Sequence, residues 1–504
     1  MLQLSGQHVL ILGLGASGMA MARWCVRFGA EVVVADTRET PALLPVLQQE
    51  LPAVRFVGGP LSAGLVEGTS IRAVFSSPGL TPDMIAPVVD VARANGLWVG
   101  GELSLFAQAL QDLQTERAYA PQVLAITGTN GKTTVTSLTG QLVERAGKTV
   151  QVAGNIGPTL LDTLSQALSD QLPEVWVLEL SSFQLETAGA FAPTAATVLN
   201  LSQDHLDWHG SMAAYGAAKA NVFGATGLMI LNRDDPAVMA MLPEPVRLKL
   251  QKPMVRNHMT FGGGMPQRPG DFGLEVLNGM TWLVRAMEAD ETRKRRKDEE
   301  EELHIQRLIP ADALRIRGRH NAVNALAALA LASSAGCGLA PMLYGLREYR
   351  GEPHRVEPIG ILNDVEYFDD SKGTNVGATV AALQGLGVDR RVVVILGGEG
   401  KGQDFSPLLD AVARYTRGVV LIGHDGPVIR AQLMDAGVPL VDAADMQDAV
   451  GKASELAQAG DAVLLSPACA SFDMFENYAH RAEVFCQAVA ALAETAGVVL
   501  EVQA

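Results

Sequence analysis

Residues 127–134 read T-G-T-N-G-K-T-T, a glycine turn followed by a lysine and two threonines. Four apolar residues precede this turn and apolar residues at helical spacing follow it, so the sequence predicts a strand, a turn and a helix. Backbone N–H groups of such a turn, together with the positive helix N-terminus, bind phosphate. Lys132 would reach the outer phosphates of a nucleotide, and the Thr133 hydroxyl would reach Mg²⁺. The usual P-loop has a glycine five residues before Gly131, where this chain has Ile126, but the strand-turn-helix context still favours nucleotide binding.

A carboxylate and an imidazole lie at the ends of two later predicted strands. Glu179 interrupts the apolar run 175–180, where a carboxylate is costly to bury unless it meets a cation or a proton. His205 comes shortly after the apolar run 195–201. Because the carboxyl ends of parallel strands converge on the ligand of such a sheet, both side chains could hold Mg²⁺ with Thr133. The alternative for His205 is a structural, hydrogen-bonded histidine, since imidazole is an unusual ligand for so hard a cation.

Further lysines and hydroxyls occur in one predicted helix and in three turns. Lys219 lies in A-A-K-A-N, a helix of small residues, and could be either a solvated surface lysine or a closely packed one. The motifs D-D-S-K-G-T-N at 369–375, G-G-E-G-K-G at 397–402 and S-P-A-C-A-S at 466–471 each end a predicted strand. Two lysines and two hydroxyls at adjacent strand ends would suit a small dianion. Each motif could also be only a turn, and the sequence leaves this open.

The first hundred residues contain a second glycine turn. Residues 13–18 read G-L-G-A-S-G after a buried strand at 8–12, and the next predicted strand ends at Asp36. This pattern is typical of a dinucleotide-binding fold and by itself would indicate NAD. The same geometry can hold another phosphorylated ligand, and the motif does not separate the two. A further predicted strand, 73–77, ends in a tight turn at the edge of the sheet where ligands bind.

Composition sets limits on the class of protein. A chain of 504 residues is too long for one ordinary core and should form two to four domains. A formal net charge of −16 argues against a nucleic-acid partner, because no excess of Lys and Arg remains to neutralise phosphates. The four cysteines form no C-x-x-C pair, which fits free thiols in a reducing compartment. The N-terminus lacks a basic secretory region and no 18-residue apolar run occurs, so we expect a cytoplasmic protein without a membrane span.

Alternating predicted strands and helices indicate an α/β protein built on parallel, doubly wound sheets. We predict three domains, with limits at 1–116, 117–351 and 352–504. The first and last should be Rossmann-like, and the central one P-loop ATPase-like. The polar stretch 110–121 is predicted to be the first linker. A charged insertion is expected near 265–305, where residues 288–302 hold eight acids and five bases; a solvated loop is favoured there over a basic signal, because the neighbouring acids cancel its field.

Together these motifs resemble those of the Mur ligases, ATP-dependent amide-forming enzymes of bacterial peptidoglycan synthesis. The resemblance rests on the phosphate loop, on L-E-L-S-S-F-Q-L-E-T at 178–187 and on His354-Arg355. The three turns of the last segment resemble the branch that adds D-glutamate. The resemblance implies a monomer that joins D-glutamate to UDP-N-acetylmuramoyl-L-alanine through an acyl phosphate. Another amino-acid-adding member of the family, and an NAD-dependent dehydrogenase or nucleotide-sensing protein built on the turn at 13–18, are the alternatives.

The resemblance also implies roles for individual residues. Catalytic roles fall on Lys132, Glu179, His205 and Lys219. ATP would contact Gly128, Thr129, Asn130, Gly131, Lys132, Thr133, Thr134, Asn321, Asn324, Arg355 and Asp370. The UDP-substrate would contact Ala16, Ser17, Thr37, Arg38, Ser77, Asn155 and His205. D-glutamate would contact Lys372, Thr374, Lys401, Ser471 and Tyr478. Two Mg²⁺ ions would be held by Thr133, Glu179, His205 and Lys219, the lysine being carbamylated by CO₂ and so converted from a cation into an anionic oxygen ligand.

Overall fold

The computed structural model describes residues 4–245, 254–289, 303–388, 390–498 and 500. Strands and helices alternate along most of the chain, as predicted. The strands are β1 (His8–Leu12), β2 (Glu31–Asp36), β3 (Arg55–Gly58), β4 (Ile71–Ser76), β5 (Trp98–Gly100), β6 (Gln122–Thr127), β7 (Val150–Gly154), β8 (Val175–Glu179), β9 (Ala195–Val198), β10 (Leu228–Asn232), β11 (His258–Phe261), β12 (Phe272–Leu277), β13 (Met280–Glu288), β14 (Leu303–Pro310), β15 (Glu357–Leu362), β16 (Val365–Asp369), β17 (Val392–Gly397), β18 (Thr416–Ile422), β19 (Leu440–Asp442) and β20 (Ala462–Leu465).

Seventeen α-helices connect or flank these strands in the described parts of the chain. They are α1 (Ala16–Arg27), α2 (Leu44–Glu50), α3 (Pro82–Ala94), α4 (Glu102–Arg117), α5 (Lys132–Arg145), α6 (Leu160–Ser169), α7 (Ser182–Glu186), α8 (Leu206–His209), α9 (Met212–Ala220), α10 (Pro236–Met239), α11 (Arg319–Ser334), α12 (Leu339–Glu348), α13 (Val376–Leu386), α14 (Leu408–Tyr415), α15 (Gly426–Leu433), α16 (Met446–Leu456) and α17 (Tyr478–Ala496). Among the described residues, none of these helices combines the length and the apolarity that crossing a bilayer requires.

The first sheet has the order β3-β2-β1-β4-β5, and its strands pair in parallel. The glycine turn 13–18 joins β1 to α1 at the carboxyl edge of this sheet. A Cβ atom built on Gly18 would lie 1.9 Å from the carbonyl oxygen of Gly13, so glycine is required for the helix to pack this close to the turn. The turn is thereby fixed between the ends of β1 and β4.

The second sheet has the order β11-β10-β9-β6-β8-β7 and is also parallel. Strand β6 lies between β9 and β8, with Ile126 opposite Glu179 and Thr127 opposite Val198. The phosphate loop after β6 therefore lies between the ends of both neighbours, as predicted. Helix α5 packs on α11, which is alanine-rich and whose central residues 325–332 are completely buried. Small side chains allow this close helix packing, which fixes the start of α5.

Strands β12, β13 and β14 form a three-stranded antiparallel sheet that the sequence analysis did not predict. β12 and β13 lie inside the stretch 265–305, which was expected to be a charged insertion, and β14 begins at the end of that stretch. Phe272, Leu274 and Leu283 are buried in one core with α11, and this packing gives the strands their stability. Most of the charged run, residues 290–302, lies outside the described residues, so the expectation of a loop there stays a prediction.

The third sheet has the order β15-β16-β20-β17-β18-β19. β15 is antiparallel to β16, whereas the other pairs are parallel. The central neighbours β16, β20 and β17 end at the turns 369–375, 466–471 and 397–402, respectively. The prediction that these three motifs lie at adjacent strand ends is therefore confirmed.

The prediction of a linker at 110–121 is largely wrong. Helix α4 continues to Arg117, and only the last four residues of that stretch connect it to β6. Leu113 is fully buried in the core that α4 shares with β6 and α6, which keeps these polar residues helical. Two polar contacts also join α6 to α4 and α1. The backbone N–H of Leu161 in α6 donates to Glu102 in α4 (3.1 Å), and Arg23 in α1 pairs with Asp162 in α6 (3.2 Å).

Candidate active site

The phosphate loop adopts a backbone that requires glycine at two points. Gly128 has a φ of +151° and Gly131 a φ of +83°. A Cβ atom on Gly128 would lie 2.9 Å from the Cβ of Leu199 at the end of β9. Lys132 Nζ donates to the carbonyl oxygens of Gly128 and Thr129, at 2.9 Å each. Burial lowers the pKa of Lys132, and the charge of Glu179 opposes that shift.

Glu179 ends β8 beside this loop and is 2% exposed. Its Oε1 accepts a hydrogen bond from Asn155 Nδ2 at 2.7 Å. Its Oε2 is buried without a hydrogen-bond partner among the described residues. A carboxylate oxygen in that position fits a cation as its missing partner. The residue therefore suits the metal role, while Asn155 orients it.

Lys219 is 1% exposed, so the alternative of a solvated surface lysine is wrong. Its Nζ donates to Thr127 Oγ1 (3.2 Å) and to the Gly128 carbonyl (2.9 Å), and it lies 4.6 Å from the ring centroid of Tyr215. Burial, followed by the positive charge of Lys132, lowers the pKa of Lys219 well below its usual range. A neutral amine is the nucleophilic form, which is the form that reacts with CO₂.

His205 directly precedes the short helix α8, at its N-cap position, with a φ of +53°. Its ring centroid lies 4.8 Å from that of Phe183 and 6.4 Å from that of Tyr215. Burial lowers its pKa, the carboxylate of Asp204 opposes this, and the positive charges of Lys132 and other lysines add to it. The neutral imidazole that results is the form in which histidine binds metals.

A cleft with about 700 Å³ of atom-free space opens between the phosphate loop, α11 and the third sheet. This space includes the solvent-open mouth of the cleft. The predicted nucleotide contacts that line it are Asn130, Gly131, Thr134, Asn321, Asn324, Arg355 and Asp370. The structure thus brings together residues that are up to 240 positions apart, as the difference between 370 and 130 shows.

Two polar contacts join the phosphate loop to the third sheet across this cleft. Arg355 Nη2 donates to Thr133 Oγ1 at 3.0 Å. The side-chain amides of Asn130 and Asn375 exchange hydrogen bonds at 3.2 and 3.0 Å. Because Asn375 follows Thr374, the loop predicted to bind phosphate is in direct contact with the segment predicted to bind the amino acid.

His320 also lines the cleft and was missed by the sequence analysis. Its ring packs against Gly318 and Gly385, where a Cβ would lie 2.9 and 2.7 Å from the imidazole. Burial lowers the pKa of His320 to about 4, so the ring is neutral at physiological pH. The sequence feature that could have indicated His320 is its position directly before Asn321, which was predicted to contact the nucleotide.

Asp370 lies in the cleft and is 6% exposed. Ser466 Oγ donates to its Oδ2 at 2.6 Å. Burial raises the pKa of this carboxyl to about 7, against the opposing effects of Ser466 and Arg355. Its neighbour Asp369 accepts a hydrogen bond from His354 Nδ1 at 2.6 Å, which orients that ring.

The predicted amino-acid contacts lie around the turns of the third sheet. Lys372 Nζ is 5.5 Å from the ring centroid of Tyr478, and Lys401 Nζ is 6.0 Å from that of Phe472. Burial lowers the pKa of Lys372. Ser471 is buried, whereas Phe472 is exposed beside it and was not singled out from the sequence. Two cations and hydroxyls at this edge can bind an anion with two carboxylates.

In the first sheet, Asp36 is 1% exposed and faces its own glycine turn. Its carboxylate accepts hydrogen bonds from the backbone N–H of Leu14 (2.7 Å) and from the Arg38 guanidinium (2.8 Å twice). The Arg38 side chain holds the pKa of Asp36 at about 2. A carboxylate this buried and this fully bonded is not free to bind the ribose hydroxyl of a dinucleotide, which argues against the NAD alternative.

The other predicted contacts of this sheet lie at its carboxyl edge. Ser77 follows β4, and its backbone N–H donates to the Leu12 carbonyl at 2.8 Å, which places it beside the glycine turn. The remaining predicted contacts, at the start of α1 and just after β2, are Ala16, Ser17, Thr37 and Arg38. Asn155 and His205, also predicted for this substrate, lie instead at the second sheet, next to the phosphate loop.

Three large sheets flanked by helices, together with a phosphate loop, define a nucleotide-dependent enzyme, and sequence comparison identifies its family. The chain matches the Mur ligase MurD-like N-terminal domain over residues 7–101, the Mur ligase middle domain over 126–332 and the Mur ligase glutamate ligase domain over 354–469. It therefore belongs to the Mur ligase family of ATP-dependent, ADP-forming amide ligases.

Curated relatives share nearly the whole chain. A protein from Albidiferax ferrireducens named UDP-N-acetylmuramoylalanine--D-glutamate ligase is 70% identical over 499 residues, covering 99% of each chain. A protein of the same name from Ralstonia nicotianae is 56% identical and covers 99% of each chain.

Solved structures support the fold. MurF ligase from Thermotoga maritima in complex with ADP has a TM-score of 0.57 at 15% identity, covering 98% of this chain and 99% of that one. The UDP-N-acetylmuramate-alanine ligase MurC from the same organism has a TM-score of 0.54 at 19% identity, covering 96% of this chain and 99% of that one.

Proposed function

We propose that this enzyme joins D-glutamate to UDP-N-acetylmuramoyl-L-alanine in peptidoglycan synthesis, with conversion of ATP to ADP and phosphate. The observation that carries this function is the 70% identity, over 99% of both chains, to a ligase named for that reaction. The three strand-end turns of the third sheet support it, because they place lysines and hydroxyls where a dicarboxylate substrate needs them.

ATP binds in the cleft between the second and third sheets. The backbone of Gly128, Thr129, Asn130 and Gly131 surrounds the phosphates, and Lys132 neutralises their charge. Thr134 supports the loop, and the contacts further along the chain are Asn321, Asn324, Arg355 and Asp370. Asn130, Gly131 and Thr134 of the loop line one cleft together with these four more distant residues, which supports this assignment.

Two Mg²⁺ ions are held by Thr133, Glu179, His205 and Lys219, the lysine as its carbamate. Magnesium supplies charge neutralisation and orientation of the phosphate oxygens. The unpartnered Glu179 Oε2 and the buried, neutral Lys219 fit these roles. In forming the carbamate, the Lys219 amine adds to the carbon of CO₂ and loses one proton, and the product is an anion with two oxygen ligands.

The reaction begins when the alanyl carboxylate attacks the γ-phosphate of ATP, which gives an acyl phosphate and ADP. The D-glutamate amine then attacks the acyl carbon, and the tetrahedral intermediate collapses with loss of phosphate. The protein contributes mainly by positioning and by charge neutralisation. The contact between Asn130 and Asn375 supports a site in which the two substrates are brought together.

D-glutamate binds at the turns of the third sheet. Lys372 and Lys401 neutralise its carboxylates, Thr374 and Ser471 donate hydrogen bonds, and Tyr478 lies against Lys372. A doubly charged substrate accounts for two lysines at one edge of a protein whose net charge is −16.

The UDP-substrate binds at the first sheet, with its uridine diphosphate near Ala16, Ser17, Thr37, Arg38 and Ser77. The strand order 3-2-1-4-5 supports a Rossmann-like first domain. The muramoyl-alanine end extends toward Asn155 and His205 beside the phosphate loop. We assign the domains to 1–116, 117–351 and 352–504, the central one P-loop ATPase-like and the last Rossmann-like, and infer that the protein is a cytoplasmic monomer.

ATP-dependent phosphate release tests this proposal. The enzyme is supplied with ATP, Mg²⁺ and UDP-N-acetylmuramoyl-L-alanine, and then with D-glutamate, L-alanine or diaminopimelate. Release with D-glutamate alone supports the assignment, and release with another amino acid points to a different member of the family. Calorimetry with NAD and with the UDP-substrate is the matched control for the first sheet, because saturable NAD binding would contradict the proposed role of the turn at 13–18.

A further inference from the structure

Arg481, in the first turn of α17, is 1% exposed and was not singled out by its sequence. Its Nε donates to Ser371 Oγ at 2.9 Å, and its Nη2 donates to the Ser371 carbonyl at 2.7 Å. Its Nη1 donates to the carbonyl oxygens of Cys469 and Ala470, at 3.0 and 3.3 Å. One planar guanidinium therefore joins the turn 369–375 to the turn 466–471.

Both turns carry residues assigned above to the amino acid. Ser371 directly precedes Lys372, and Ala470 directly precedes Ser471. Because the guanidinium contacts the residue next to a proposed ligand in each of the two turns, a shift of the guanidinium would move both binding groups. The distance between Lys372 and Ser471 thus depends on Arg481.

The same network reaches the other contacts of the site. Ser371 Oγ donates to the Tyr478 carbonyl at 2.8 Å. The backbone of Ala470 exchanges hydrogen bonds with that of Glu399, at 3.0 and 2.9 Å, within the turn that carries Lys401. Arg481 therefore contacts two of the turns directly, and the third turn, at 397–402, is linked to it through the backbone of Ala470.

The partners of this guanidinium are unusual for a buried arginine. In the described part of the chain, its hydrogen bonds go to carbonyl and hydroxyl oxygens rather than to a carboxylate. Burial lowers the pKa of Arg481 to about 10, so it is still charged at neutral pH. A buried cation is destabilising unless it is well bonded, and five rigid N–H donors suit the task of holding several carbonyls at once.

We propose that Arg481 is the positioning residue of the amino-acid site. Its guanidinium sets the spacing of the turns that present Lys372, Lys401 and Ser471, so that both carboxylates of glutamate are held together. Arg481 acts through these residues and need not contact the substrate. This inference rests on the function proposed above.

The test compares Arg481→Ala and Arg481→Lys with the wild type, by the KM for D-glutamate, the KM for ATP and kcat. The lysine variant keeps the charge but lacks the rigid fork, so it separates positioning from electrostatics. Arg417→Ala is the matched control. Arg417 pairs with Asp461 at the opposite edge of the same sheet, so its loss should lower the melting temperature without changing the KM for D-glutamate. Guanidinium chloride at low concentration is then added to each variant.

We expect the KM for D-glutamate to rise about tenfold or more in both Arg481 variants. A change of this size corresponds in free energy to the loss of about one charge-assisted hydrogen bond. The KM for ATP should stay within about twofold. Guanidinium should lower the raised KM of Arg481→Ala and leave Arg417→Ala unchanged. If Arg481→Ala does not fold, the KM of Arg481→Lys for D-glutamate tests the positioning role by itself.

An unchanged KM for D-glutamate in Arg481→Lys, or parallel changes in the KM values for both substrates, would overturn the inference. So would a folded Arg481→Ala that guanidinium does not rescue. If the wild type itself releases no phosphate with D-glutamate, the proposed function fails and this inference falls with it. A wild type active with D-glutamate beside an unaffected Arg481→Lys refutes only the positioning role.

Discussion

Replacing Asp370 by asparagine should make the protein more stable at alkaline pH and at the same time weaken nucleotide binding. Asp370 is 6% exposed, and burial raises the pKa of its carboxyl from the ordinary 3.8 to about 7. Asparagine has the same shape and keeps an oxygen for the hydrogen bond from Ser466. The substitution therefore removes the charge with little other change.

The direction in which the stability changes with pH follows from proton linkage. A carboxyl whose pKa is raised by folding destabilises the folded state as pH rises above 3.8, and this effect is complete above about 7. The full shift corresponds to about 4 kcal/mol, at about 1.4 kcal/mol per pKa unit. At pH 5.5 about 2 kcal/mol of this is present, and at pH 8 about 4 kcal/mol. The stability gained by Asp370→Asn should thus grow by about 2 kcal/mol between these pH values.

Urea unfolding of both proteins at the two pH values measures this difference, and calorimetry with ATP measures the loss of binding. Any constant effect of the amide cancels in the comparison between pH values. Asp448→Asn is the control in the same domain: Lys452 and backbone hydrogen bonds lower the pKa of Asp448 from the ordinary 3.8, so this carboxyl is ionised in the folded and unfolded states at both pH values, and its stability difference should not change between them. A stability difference for Asp370→Asn that is the same at both pH values would refute the reasoning.

Three further predictions concern single residues. Lys132→Ala should lower the rate of phosphate release by about 10²–10³-fold, as for loss of a charge-stabilising donor, with an unchanged circular dichroism spectrum; near-normal turnover would contradict the nucleotide assignment. Lys219→Ala should lower activity by about 10²-fold and be partly rescued by formate or acetate, which leave the wild type unaffected; failure of every short carboxylate would count against the carbamate. Asp36→Asn should lower the free energy of unfolding by about 2 kcal/mol at pH 7. The wild type should lose this contribution as pH falls from about 4 through 2, because the Asp36 pKa is lowered to about 2. Equal urea midpoints for both proteins at pH 7 would contradict this prediction.

Local sequence predicted the elements that depend on contiguous residues. The strand, glycine turn and helix around 127–134 are set by apolar spacing and by glycines with positive φ, so their geometry was predictable without the rest of the chain. The adjacency of the three turns in the last segment also followed, because parallel strands present their carboxyl ends at one edge.

Features set by packing were not predictable in this way. The polar residues 110–117 are helical because Leu113 is buried against a neighbouring element. Strands β12 to β14 form because Phe272 and Leu283 pack with α11. Both depend on partners distant in sequence, and short amphipathic runs are compatible with several structures until a partner covers them.

The sequence by itself determined the phosphate loop, the parallel α/β architecture and, through its motifs, the family. Only the tertiary structure decided that Lys219 is buried beside the loop, that Asp36 is bonded to its own turn and that Arg481 joins the amino-acid turns. The physical reason is that chemistry at a site depends on desolvation and on distances between side chains. Both arise when segments far apart in the chain pack together, and neither is encoded in the spacing of residues within one segment.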